Sequence, residues 1–249
     1  MDEQIYYHFL SSQFAIEDLT NKWIKVSALG ELNDPFELEP YLRFPYEGRQ
    51  QYHEVSKHIS KKWGLLCFSK NWRETVLWSY YAEKHKGIAI GFNILQGEVL
   101  KVRYTSYSKR QKIELTNDIN IDAKLFLDLA KVKYKKWKYE NEHRILVELK
   151  ECLPKDCLTE ECLPPKVPYP YFIKFEGRLK VREIVLGCRF NHKKEKENIG
   201  KLAIKLDAKI IPTREEWQGY KINKDGELDE MYKNLMSSMK LKNNTNKSL

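Results

Sequence analysis

Apolar and polar positions alternate most clearly near the middle of the chain, where Ile145, Val147 and Leu149 interleave with Leu146, Glu148 and Lys150. A period of two predicts a strand with one buried face. Shorter runs predict further strands: Ile5–Leu10, Trp23–Ser27, Gly64–Ser69, Ile88–Phe92, Val99–Tyr104 and Tyr171–Phe175. Helical spacing predicts helices over Ala15–Lys22, Gln50–Trp63, Thr75–His85 and Ile121–Trp137, the last with Leu125, Leu129, Val132 and Lys136 along one stripe. Lys86-Gly87 stops the third helix, as glycine commonly does just beyond a C-terminus. Leu32-Asn33-Asp34-Pro35-Phe36-Glu37 is a turn, since Asn-Asp-Pro suits neither helix nor strand. Val181–Gly187, Lys193–Asp207 and Lys209–Pro212 form a strand–helix–strand unit. Many short strands with a few helices and no dividing linker predict one α+β domain over residues 1–232. A polar tail over 233–249 is expected to be disordered.

Composition narrows the class. The 249 residues are 42% apolar and include 15 Tyr and 6 Trp, enough for a folded core. Lys plus Arg outnumber Asp plus Glu by 44 to 35, a net charge of +9 that favours a polyanionic partner. No run reaches the roughly 18 apolar residues of a membrane span, and the start is acidic, so a cytoplasmic protein with no membrane partner is expected. Five cysteines, an odd number, suit a reducing compartment. Cys152, Cys157 and Cys162 repeat every five residues without the two-residue knuckle of zinc sites, so 152–168 reads as a Cys- and Pro-rich surface loop. His53 and His58 do not share a helical face, and no metal is expected.

The candidate chemistry lies at strand ends. Glu140 and Glu142 stand two apart at the start of the central strand and point to one face if the strand already runs there. Two close carboxylates repel unless a cation intervenes, which marks them as a site. His8 and Ser69 also sit at strand boundaries. The sequence has no phosphate-binding glycine loop, dinucleotide fingerprint, His-Glu-x-x-His or nucleophile elbow.

Several blocks carry a resemblance when taken in order. They are Tyr7-His8-Phe9, Leu32-Asn-Asp-Pro-Phe-Glu37, Cys67-Phe-Ser69 and Leu77-Trp-Ser-Tyr-Tyr-Ala82 leading to His85-Lys-Gly-Ile-Ala-Ile-Gly-Phe92. Trp137-Lys-Tyr-Glu-Asn-Glu-His-Arg144 and Ile184-Val-Leu-Gly187 complete the set. Over about Ile5 to Pro212 the chain resembles bacterial domain-of-unknown-function family 2971, a name that carries no activity. The order His8, Ser69, Glu140-Asn-Glu142 is also similar to that of ADP-ribosyltransferases.

This second likeness implies a split β-sandwich of short strands with flanking helices and NAD as co-substrate. It implies that Glu142 faces the ribose cation while Glu140 serves the incoming nucleophile. His8, or Tyr6 or Tyr7 in its place, and Ser69 would contact the cofactor, with Trp78, Tyr80 or Tyr81 stacking on nicotinamide. The enzyme would be a toxin or anti-phage effector with an antitoxin as partner. Lys131–Lys138, Lys109-Arg110, Tyr104 and Tyr107 point to nucleic acid, RNA above all, as acceptor. Two rivals stand beside it. One is a non-catalytic nucleic-acid-binding module whose paired glutamates are structural. The other is a metal-dependent nuclease using Asp34, Glu37, Glu140 and Glu142 as oxygen ligands.

Overall fold

A computed structural model of the chain describes residues 4–34, 36–38, 46–95, 99–106, 124, 127–154 and 170–245. In chain order come β1 (Ile5–Leu10), α1 (Ser12–Asn21), β2 (Trp23–Ala28), α2 (Tyr46–Ser60), β3 (Trp63–Ser69), α3 (Thr75–Tyr81) and β4 (Ile88–Ile94). There follow β5 (Leu100–Lys101), β6 (Arg103–Thr105), β7 (Val132–Tyr134), a 3-10 helix (Lys135–Glu140), β8 (Glu142–Glu148), β9 (Leu153–Pro154) and β10 (Tyr171–Lys174). The last elements are β11 (Leu179–Leu186), α4 (His192–Leu206), β12 (Lys209–Glu215), β13 (Ile222–Lys224) and α5 (Gly226–Thr245). The protein is a mixed α+β structure, as the pattern of elements predicts.

Where the sequence predicts one domain, the chain forms two compact units, each built from separated segments. The first comprises Met1–Trp23, Phe68–Gln96 and Phe175–Leu249, and the second Ile24–Cys67 and Gly97–Lys174. No composition shift marks the crossings, because one of them falls inside β3, between Cys67 and Phe68.

In the first unit β4 is the central strand. It runs antiparallel to β1, with His8 opposite Ile90, and antiparallel to β11, with Ile184 opposite Ile90. Ile88, Ala89, Ile90 and Phe92 are all buried, the continuous apolar run of a strand covered on both faces. The predicted strand–helix–strand unit is present: β11 and β12 pair in parallel, Ile184 opposite Ile210, with α4 as the crossover. Asn191 caps α4 by accepting the Lys194 N–H at 3.2 Å, and Asp207 ends it in the left-handed region.

Gly91 has a specific use here. Tyr7 and Glu183 both stand opposite it, on its two neighbouring strands. With no side chain between them, the Tyr7 hydroxyl donates to Glu183 Oε2 at 2.8 Å. Burial first, then the bond to Glu183, pushes the Tyr7 phenol up.

The tail expected to be disordered is instead helical as far as Thr245, and residues 246–249 lie outside the described set. Its polar composition hides three supports. Asp225 caps the helix start through the Leu228 N–H at 3.0 Å, and Lys233 reaches Asp229 at 3.1 Å, four residues back. Leu235 and Met239 pack against α4 at Gly200, where an added Cβ would stand in ordinary van der Waals contact, 3.4 Å from each.

In the second unit β3 is flanked by β2, with Ser27 opposite Leu65, and by β8. β5 extends β8, Leu100 opposite Arg144, while β6 and β7 pair in parallel. Leu29, Leu38, Val55, Ile59, Leu65, Leu129 and Ala130 form a core cluster under these strands.

The predicted Ile121–Trp137 helix fails in its second half. Residues 127–129 are helical, but β7 and the 3-10 helix occupy 132–140. The lysine run expected to meet nucleic acid is divided, for Lys133 is buried while Lys135, Lys136 and Lys138 are exposed. A strand, which turns alternate residues inward, allows that; an amphipathic helix with the Leu125–Lys136 stripe inward does not. The predicted 152–168 surface loop lies mostly outside the described residues, but Cys152 at its start is buried, with its thiol 3.8 Å from the Glu148 carbonyl.

A Cβ on Gly91 would lie 3.0 Å from atoms of Ile5, Tyr7 and Glu183. We expect Gly91→Ala to lower the unfolding free energy by about 1–3 kcal/mol. The same ring is displaced in both changes, so Gly91→Ala with Tyr7→Phe costs less than the sum of the two. Urea unfolding of the four proteins measures this; strictly additive losses would show that Tyr7 and Gly91 do not interact.

Candidate functional site

The most unusual feature of the second unit is a cluster of buried charge. It starts in the turn predicted from Asn-Asp-Pro. Asp34 Oδ1 accepts the Phe36 N–H at 3.0 Å, and its carbonyl accepts the Glu37 N–H at 3.0 Å. Leu38 adopts a positive φ of 63°, and its carbonyl accepts the Tyr52 hydroxyl. The turn directs Glu37 inward, where its side chain is only 2% exposed.

Lys133 arrives from β7. Its ammonium donates to Glu140 Oε2 at 2.6 Å and Glu142 Oε2 at 3.0 Å, and it pairs with Glu37 Oε1 at 2.9 Å. Its Nζ also stands over the Trp137 ring, 4.9 Å from the centroid. Arg144, two residues along β8, grips Glu142 with both edges of a fork: Nε to Oε1 at 2.6 Å and Nη2 to Oε2 at 3.0 Å. The same Nη2 reaches Glu37 Oε2 at 2.7 Å, and Nη1 donates to the Ala130 carbonyl at 2.7 Å.

Glu140 and Glu142 therefore meet, though not through the pleat of one strand. Glu140 ends the 3-10 helix, Asn141 is left-handed (φ 43°), and β8 begins at Glu142. The Glu142 N–H donates to the Tyr104 hydroxyl at 2.8 Å.

Burial alone would push the Glu142 carboxyl up, but the Arg144 guanidinium and Lys133 ammonium overcome it and hold it down to about 2. Burial opposes the charged forms of Lys133 and Arg144 too, and the facing carboxylates, Glu142 foremost, raise both instead. The Cys67 thiol on β3 is pushed up, first by burial and then by the Glu142 charge, so it is inert. The Tyr104 phenol is pushed up to about 12, mainly by burial. Such an arrangement fixes charge, three carboxylates against two cations of the protein itself. The ammonium of Lys133 occupies the place a metal would take among Glu37, Glu140 and Glu142. No group of three or more His, Cys, Asp or Glu arranged to hold a metal ion occurs among the described residues.

The other predicted residues fall in the first unit. Tyr7 pairs with Ser69, so those two share a sheet face, while Tyr6 and His8 stand on the opposite one. Both Tyr6 and His8 pack edge-on against Phe68, at 6.5 and 6.0 Å. The expected meeting of His8 with Ser69 is thus prevented by the pleat; of the first-strand alternatives, Tyr7 has the right face but bonds Glu183. Ser69 Oγ accepts the Asn71 N–H at 3.2 Å, capping the segment that follows. Tyr6 donates to Gln4 at 3.1 Å. Trp78 is fully buried, its indole N–H on the Trp72 carbonyl at 2.6 Å and its ring against Phe9, which leaves no face for a nicotinamide. Tyr81 is half-buried beside Tyr80.

Sequence reading sets His143, Arg144 and the preceding lysines against the glutamates on a solvated strand edge; the structure takes Lys133 from that run and buries it with Arg144. Two aromatic residues were missed. Trp217 and Tyr220, between β12 and β13, are 96% and 102% exposed. The sequence Trp-Gln-Gly-Tyr at a tight turn is the signal that places them there.

Compared with protein-family models, curated proteins and solved structures, the chain matches none. Among the described residues no helix is long and apolar enough to cross a membrane.

Three carboxylates face two cations in this cluster. Lys133→Met leaves three against one and should cost about 3–5 kcal/mol, whereas Glu140→Gln leaves two against two and should cost less. Equal losses in chemical unfolding would contradict the charge balance. The acid limb gives a second expectation. Glu142 is depressed on folding, so its stabilisation is complete above about 4.5 and is lost as pH falls toward 2. Unfolding free energy measured down that range should fall more steeply in the wild type than in Glu142→Gln.

Proposed function

We propose that the chain binds single-stranded nucleic acid, with the paired glutamates in a structural role. One observation carries this reading: two large aromatic rings, Trp217 and Tyr220, stand wholly in solvent at the turn between β12 and β13. Burial of such rings is strongly favourable, so a pair left exposed together suits a face that stacks on a planar ligand. Exposed Arg214 and Lys221 stand at the feet of the turn, and Lys193, Lys194, Lys201 and Lys205 add exposed cations on α4 of the same unit. Rings for bases and cations for phosphates are the two parts of a single-strand site, and base edges need not be read. The net charge of +9 works in the same direction.

A second reading, the NAD-dependent ADP-ribosyltransferase with its split β-sandwich, is favoured by the meeting of Glu140 and Glu142 on one ammonium. It requires Glu142 to exchange Arg144 and Lys133 for a ribose.

Anisotropy of a labelled oligonucleotide separates the two. Trp217→Ala and Tyr220→Ala should each weaken binding by about 1–3 kcal/mol. If Arg214 and Lys221 each neutralise one phosphate, affinity falls with salt at a log–log slope near −1.4, roughly 0.7 per contact. Unchanged affinity in both aromatic variants would end this reading. Consumption of NAD by the wild type and not by Glu142→Gln would establish the other.

A further inference from the structure

A second cluster lies in the first unit and contains none of the residues singled out in the sequence as a site. His85 is at its centre. One ring nitrogen, Nε2, is 3.1 Å from the Ser79 hydroxyl, and the other, Nδ1, is 3.7 Å from the Cys188 thiol. The thiol is also 3.7 Å from Glu215 Oε1, which Arg189 Nε approaches at 3.4 Å. His85 and Cys188 are both half-buried, so reagents reach them.

The backbone that presents these groups is built at a cost. Glu83, Lys84 and His85 follow α3 in three successive left-handed conformations, φ 49°, 54° and 70°, with no glycine among them. Each is a sparsely populated state for such residues, and runs of them occur where surrounding contacts impose them. The imposing contacts are present. The His85 N–H donates to the Trp78 carbonyl at 3.2 Å, and its own carbonyl accepts the Arg189 N–H at 3.0 Å. The Gly187 N–H donates to the Gly87 carbonyl at 3.0 Å, so the turn bearing His85 is tied directly to the turn bearing Cys188. Neither glycine admits a side chain. A Cβ on Gly87 would stand 2.1 Å from the Leu10 carbonyl oxygen, and one on Gly187 2.2 Å from that of His85. Strain and close approach are thus spent on bringing one imidazole between one hydroxyl and one thiol.

We propose that Cys188 is a catalytic nucleophile for acyl transfer, with His85 as its general base and Ser79 as a positioning residue, acting on an ester or thioester. Ser79 Oγ also lies 3.2 Å from the Thr75 carbonyl. With its hydroxyl proton given to that carbonyl, it accepts Nε2–H and leaves Nδ1 free to take a proton. Burial pushes the Cys188 thiol up, with Glu215 adding to it, and burial lowers His85, with Arg189 adding to it. The resting pair is therefore a neutral thiol and a neutral imidazole, which act together by general-base catalysis rather than as a preformed thiolate.

In the step itself the Cys188 sulfur attacks the carbonyl carbon while His85 Nδ1 takes the thiol proton. The carbonyl π pair moves to oxygen, and Arg189, next in the chain and 60% exposed, supplies the cation for that oxyanion. The tetrahedral adduct collapses with loss of the alkoxide or thiolate, which takes the proton back from His85 and leaves an acyl-Cys188 thioester. Water, deprotonated by His85, or another nucleophile then releases the acyl group and restores the thiol.

The full chain is mixed with p-nitrophenyl acetate, nitrophenol release is followed, and acetylated cysteines are located by peptide mass spectrometry. We expect a burst of nitrophenol with acetate on Cys188, and none on Cys67 or Cys152. His85→Asn is the informative variant, because asparagine tolerates the left-handed backbone but is no base. It should slow acetylation of Cys188 by roughly 100-fold. Ser79→Ala should slow it less, and Ser79→Thr, which keeps the hydroxyl, should restore it. Cys188→Ala should abolish the burst. No acetyl-Cys188, or acetylation of it at the same rate in folded His85→Asn, would overturn the assignment. The assay contains neither NAD nor nucleic acid, so failure of the nucleic-acid reading leaves its outcome untouched.

Discussion

An ammonium with three carboxylates around it, out of water, constrains the second unit more than any other contact. Removing Lys133 from water is unfavourable by several kcal/mol, and so is removing each glutamate; their attraction returns this only when the geometry is nearly complete. Lys133 has carboxylate oxygens of three glutamates within 3.0 Å, and Arg144 uses Nε and both terminal nitrogens. A cluster of this kind contributes more to uniqueness than to net stability. Slipping β8 by one residue would put His143 where Glu142 stands and leave two buried cations facing the wrong groups. The interaction therefore ties the Glu37 turn, β7, the 3-10 helix and β8 to one register.

That constraint also explains which parts of the fold were legible. Period-two alternation locates β8, and the apolar run of β4 and the strand–helix–strand unit of β11, α4 and β12 follow from local pattern. Local pattern fails where a distant partner overrides it. Lys133 reads as one more lysine of a basic run until Glu37, far off in sequence, is known to be beside it. The C-terminal helix fails differently: its sequence is polar, and what holds it is the Asp225 cap, the Asp229–Lys233 pair and packing of Leu235 and Met239 against another helix. Contacts with a distant element leave no strong periodic mark in a polar segment.

The site was legible in its residue types and not in its roles. The Glu-x-Glu pair was marked by its own electrostatic awkwardness, and the two residues do meet. Whether such a pair acts on a substrate or on its own protein depends on what stands opposite, and here that is Lys133 and Arg144. His8 and Ser69 show a second limit. Both lie at strand boundaries, as expected, but the pairing of Tyr7 with Ser69 turns His8 to the other face. Proximity along a sheet is set by register parity, which the sequence of either strand alone does not contain.

Stored strain and stored charge have different uses in this chain. In the second unit the unfavourable groups face one another: Glu142 is held near a value of 2 by cations that bond both its oxygens. In the first unit the unfavourable element is backbone conformation, and it is not relieved by burying a chemical group. Three left-handed residues and two side-chain-intolerant glycines present a neutral imidazole to a thiol at a half-buried position. Packing alone would be served as well by a glycine in place of a strained His85 and by any small residue in place of Cys188. The strained backbone at His85 is the observation on which the proposed role of this pair rests.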